Sequence, residues 1–224
     1  MFSADFWLDE LYRALEAPEL EDFDSTEAPG PEAVAAAFRV ALCLGYCRLF
    51  GAKLPSDIDG TLPGRWAAAA ARELIGRINV WVQEARELPS RWDVAPPGTE
   101  TDLCADVLQS RMDSWAAFLA ISEAHEDCVR CCGPEAQEFD RVLDRLMDAM
   151  DRFDGILREP EIISLLATAA GSALLENWRA ALAPGYIPWW LDGTLEAEDR
   201  RIAAESEAAW RQLQALGKIP APRR

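Results

Sequence analysis

Histidine is all but missing from this sequence: His125 is the only one in 224 residues. A Ser–His–Asp or Cys–His relay therefore has one residue to draw on, and nothing in the sequence points a nucleophile at it. Lysine is nearly as scarce, with Lys53 and Lys218 alone, so the basic side chains are almost all arginine. That bias carries no chemistry of its own. There is no phosphate-binding P-loop, no dinucleotide glycine fingerprint and no zinc-protease motif. No apolar run reaches the roughly 18 residues that a membrane span needs. The opening MFSADFWLDE has no basic stretch, so neither a signal peptide nor a membrane anchor is expected. Nor does any stretch alternate apolar and polar residues between turn signals, which speaks against strands. Carboxylate-only or arginine-based chemistry would leave no local signature.

What the chain does have is acid and apolar bulk. Its net charge is −17, and half of its residues are hydrophobic. That is ample for a sizeable core. So acidic a chain repels phosphate backbones, which disfavours direct nucleic-acid binding and suits a basic protein partner. The six cysteines lie at 43, 47, 104, 128, 131 and 132. Three of them crowd into five residues of an expected helix, so reduced thiols in a cytoplasmic protein fit better than disulfides.

The pattern predicts an all-α fold: an irregular bundle of about seven helices around a buried central helix at 31–50, with residues 1–224 forming one domain. The central stretch PEAVAAAFRVALCLGYCRLFG has proline at its first turn and Gly51 as its left-handed stop. At about 100° per residue Phe38, Leu42, Gly45 and Leu49 share one face, and Val40, Cys43, Leu44 and Cys47 lie opposite. A helix apolar all round is surrounded by others. Gly45 costs it about 1 kcal/mol against alanine, a cost that close helix approach would offset. Ser3 caps a first helix. Residues 17–30, acidic and turn-rich, read as a linker, with Phe23 able to dock. Further helices are expected at about 63–88, 99–132, 134–155, 160–182 and 195–216, with an interruption near Arg111 and an exposed tail at 217–224.

Three clusters are candidate sites. His125, Cys128 and Cys132 fall on one helix face, and Cys43 and Cys47, four apart, fall on another, a set that would suit tetrahedral zinc. Buried cysteine is more often a small hydrophobe, and His125 projects onto an apolar stripe, so no metal or cofactor is expected. Cys128-x-x-Cys131 resembles the dithiol of the helical alkylhydroperoxidase and carboxymuconolactone decarboxylase families. In those families a histidine follows four residues later; here Glu135 stands there, which removes the proton relay. Asp140, Asp144, Asp148 and Asp151 resemble the aspartate pairs of helical prenyl-diphosphate enzymes. The interleaved Arg141, Arg145 and Arg152 favour a solvated, salt-bridged face instead. The third cluster, Tyr186, Trp189 and Trp190, sits in a loop stiffened by Pro188 and offers aromatic anchors for a partner. Together these features point to a non-enzymatic protein-interaction module, such as an accessory subunit, an inhibitor or an immunity-type partner. A metal- or thiol-dependent helical protein and an acidic nucleic-acid mimic are the alternatives.

Overall fold

The computed structural model describes residues 3–24, 28–92, 100–124 and 134–188, together with Ala208, Arg211 and Gln212. The described residues are mostly helical, with no strand among them. They form α1 (Ala4–Leu15), a 3-10 helix (Pro18–Asp24), α2 (Pro31–Leu49), α3 (Gly64–Trp92), α4 (Glu100–Glu123), α5 (Pro134–Leu157), α6 (Pro160–Leu166) and α7 (Ala169–Ala181). None of the helices is long and apolar enough to cross a membrane. The chain divides into two compact units, 1–186 and 187–224. In the second unit Ala208, Arg211 and Gln212 are helical, within the stretch expected to form the last helix. The tail 217–224 lies outside the described residues.

The first unit is a helical bundle whose core is shared by α2, α3 and α4. Helix α2 packs against α1, the 3-10 helix, α3 and α4, while α5 packs on α3 and α4. Eleven residues of α2 are buried, from Ala33 to Leu49. Leu42 is not one of them; it is half-buried in a groove that Phe38, Arg39 and Arg77 also line. The two arginines within this apolar helix are both used. Arg39 reaches Glu10 of α1 at 2.9 Å. Arg48 pairs with Glu123 at 2.6 Å and donates to the carbonyl of Gly60, pinning the 51–62 loop to α4.

Gly45 is where α2 meets α4. A Cβ at this position would stand 1.7 Å from the carbonyl oxygen of Ala116. The close approach is what the glycine provides. At the end of α2, Gly51 has φ +67°. Its N–H bonds the carbonyl of Arg48 at 3.0 Å and that of Ala52 bonds Cys47 at 2.7 Å, the paired bonds of a Schellman stop.

Several boundaries differ from expectation for identifiable reasons. The acidic linker is partly structured: Leu20 and Phe23 are buried, Phe23 meets Trp66 at 5.8 Å, and Arg65 donates to the Phe23 carbonyl. Helix α3 runs through Pro89 to Trp92. Helix α4 is unbroken at Arg111, because the guanidinium is neutralised rather than exposed. It is 6 % exposed and holds Asp154 of α5 at 2.5 and 3.1 Å. The single helix expected at 160–182 is two, since Thr168 caps α7 by accepting from the N–H of Gly171 at 3.1 Å.

Candidate binding cleft

The break at Thr168 decides where α7 lies. Its C-terminal end is tied to the end of α2 by a bond from the Ala183 N–H to the Leu49 carbonyl at 2.7 Å. Between them, and beside α4, is a cleft of about 280 Å³. Phe50 and Trp178 form its aromatic wall, their ring centroids 5.9 Å apart and tilted by 51°. Leu174 and the small residues Ala105 and Ala181 add apolar surface, and Gln109 and Asn177 supply carboxamides.

Gln109 joins the cleft to a polar network inside the bundle. Its Nε2 donates to Tyr46 Oη and to Asp113 Oδ1, each at 2.8 Å. Tyr46 in turn donates to Asp113 Oδ1 at 2.6 Å. The Tyr46 ring is stacked on Trp7 of α1, 3.9 Å apart and 7° from parallel. Helices α1, α2 and α4 are thereby locked together behind the cleft. Burial, then the neighbouring Asp113 charge, push the Tyr46 hydroxyl well above its ordinary value. Burial also raises the Asp113 carboxyl, while the hydrogen bonds from Tyr46 and Gln109 and the charge of Arg77 pull the other way.

That shift has a measurable sign. A carboxyl raised on folding contributes stability that is fully present below its ordinary value of 3.8 and is lost as pH rises through the folded value. Asp113→Asn keeps an acceptor for Tyr46 but cannot titrate. Urea unfolding of wild type and variant across a pH series is expected to show the difference moving against wild type as pH climbs through that window, then levelling. A flat difference, or one of opposite slope, would sink the claim that Asp113 is desolvated.

A second groove, of about 400 Å³, runs between α1 and α2 and is lined by Arg13, Arg39, Leu42 and Arg77 among others. Its arginines are already engaged. Arg13 and Arg39 bond Glu10, and Arg77 bonds Glu73 at 2.8 Å and lies over the Phe38 ring at 4.4 Å.

The sequence-derived sites fare unevenly. Cys43 and Cys47 are buried free thiols. Burial pushes Cys43 up to about 12 and Cys47 up to about 11, so both pack as neutral hydrophobes. His125, Cys128 and Cys132 lie outside the described residues. Among the described residues, no three His, Cys, Asp or Glu side chains converge as metal ligands. Asp140, Asp144, Asp148 and Asp151 are all exposed, as are Arg141, Arg145 and Arg152. Tyr186 is half-buried; Trp189 and Trp190 lie outside the described residues. Phe50, Gln109, Asn177 and Trp178 were not singled out by sequence, because they come from three segments far apart in the chain.

No protein-family model, no curated protein and no solved structure matches this chain. The chemistry of the cleft is therefore read from its own side chains.

Proposed function

We propose that the chain is a non-enzymatic interaction module for a basic protein partner, as an accessory subunit, inhibitor or immunity-type protein would be. The make-up of the cleft carries this reading. Two aromatic rings, three small or aliphatic side chains and two carboxamides are groups that bind and orient. They move no protons at ordinary pH. Apolar surface with a few placed polar groups is the usual anatomy of a recognition pocket. The net charge of −17 would steer a basic partner towards it. Tyr186, Trp189 and Trp190 stay in this reading as further anchors. A second reading, an acidic nucleic-acid mimic, has the exposed aspartate row of α5 in its favour and also needs a basic partner.

Affinity capture from the native host, run in parallel with wild type and Trp178→Ala, tests this. Trp178 is half-buried, so the variant should fold, which circular dichroism checks. Truncating a tryptophan anchor costs about 2 kcal/mol or more, roughly thirtyfold in affinity. A protein retained by wild type and released by the variant is the expected result. Equal retention by both would take the cleft out of the interface.

A further inference from the structure

We infer that the cleft between α2, α4 and α7 receives the guanidinium of an arginine side chain carried by the partner. This rests on the interaction reading above and specifies what the cleft recognises. The Nε2 of Gln109 is held inward, 2.8 Å from both Tyr46 Oη and Asp113 Oδ1. The network also fixes which way the amide points. Turning it over would set its oxygen against the Asp113 carboxylate, while Tyr46 has already given its proton to that carboxylate. With its nitrogen held inward, Gln109 has Oε1, an acceptor, left for the cleft that it lines. The complement of an acceptor is an N–H or O–H donor. Asn177 adds a second carboxamide to the same lining.

Charge and shape narrow the donor further. Asp113 lies behind the cleft and, among the described residues, takes its hydrogen bonds from the neutral Tyr46 and Gln109, with Arg77 acting on it through its charge alone. The chain as a whole carries −17. Both favour a cationic donor. The aromatic wall of Phe50 and Trp178 suits one as well, since a cation over a ring is attracted by the ring's quadrupole. Between the two cationic side chains, guanidinium is planar, stacks on rings and carries a fork of N–H groups that can serve two oxygens at once. A volume of about 280 Å³ accommodates one side chain and lies just below the usual range for small-molecule sites.

The test uses the full chain and four short peptides, acetyl-Gly-X-Gly-amide, with X as arginine, lysine, citrulline or norleucine. Citrulline keeps the shape of arginine without its charge, and norleucine keeps only the apolar stem. Binding is followed by calorimetry and by NMR shifts at Phe50, Gln109 and Trp178. The arginine peptide is expected to bind about tenfold tighter than the citrulline peptide, and to weaken as salt is raised. Trp178→Leu should abolish that preference and Trp178→Phe should keep most of it. Gln109→Met should also lose it, and the Trp178 pair keeps the test decisive if that variant loosens the bundle. Equal binding of arginine and citrulline, or of arginine and lysine, overturns the guanidinium assignment. Tighter binding of norleucine overturns it too, while leaving the cleft an apolar anchor site. If no peptide shifts the cleft signals yet partner capture still depends on Trp178, the guanidinium inference fails alone. If capture is indifferent to Trp178, the interaction reading fails.

Discussion

Gly45→Ala is expected to lower the melting temperature by roughly 6–12 °C, a loss of about 3 kcal/mol for a chain of this size. The added methyl would stand 1.7, 2.3 and 2.8 Å from the carbonyl oxygen, carbonyl carbon and Cα of Ala116. Those are backbone atoms, which no rotamer change can move aside. Helix α2 must instead retreat from α4, and the neighbouring Tyr46 would be drawn away from Asp113 and Gln109. Overpacking of this kind typically costs 1–3 kcal/mol and more where backbone is hit. The gain of about 1 kcal/mol from replacing a helical glycine by alanine does not offset it. Gly76 of α3 is the natural control, since a Cβ there meets nothing within 4 Å. Gly76→Ala should therefore raise stability by up to about 1 kcal/mol. Thermal unfolding followed by circular dichroism measures both. Equal and opposite signs are not required, but a Gly45→Ala protein that melts with wild type would disprove the close helix contact.

Removing Asp154 should be at least as damaging. Its carboxylate takes two bonds from Arg111, whose side chain is 7 % exposed. Asp154→Ala leaves the buried guanidinium in place without the carboxylate that holds it at two points. Breaking a buried pair in this way costs about 3–5 kcal/mol. The paired replacement Arg111→Met with Asp154→Leu removes both charges and is expected to recover most of the loss, because apolar side chains need no partner. Urea titration of the three proteins separates the cases. A single variant no worse than the double would mean that Arg111 finds other compensation.

The contrast between these two sites shows what the sequence made legible. Gly45 stood out because a glycine inside a strongly apolar helix needs a reason, and close approach is the commonest one. Arg111 stood out too, as a charge on an apolar stripe, but a break in the helix and a buried ion pair leave the same trace in the sequence. The partner, Asp154, lies on a helix whose other aspartates face solvent, and nothing in the periodicity sets it apart from Asp140 or Asp151. The cleft was harder still. Gln109, Asp113 and Ser114 sit in the middle of α4, and polar residues in a buried stretch are the signal that a network exists. Tyr46, which bonds Gln109 and Asp113, and Trp7, which stacks on Tyr46, are brought there by tertiary packing that no local pattern encodes. Thr168 within an alanine-rich run was read as interior helix, although its side chain is a good cap. That one residue separates α6 from α7 and so fixes the cleft's third wall.

The bond from Ala183 to Leu49 spans more than half the length of the chain. Contacts so distant in sequence close large loops, whose entropy must be overcome before the contact can form. Helices α1 to α4 hold one another through nearer pairings, so they can assemble while α7 is still unplaced. The cleft is then the last part of the unit to mature. During synthesis the nascent chain would already contain Phe50, Gln109 and the buried network, yet would lack Trp178 until the segment beyond Thr168 had left the ribosome. A partner that depends on the complete cleft would therefore meet only finished protein, and commitment to binding would follow folding rather than guide it.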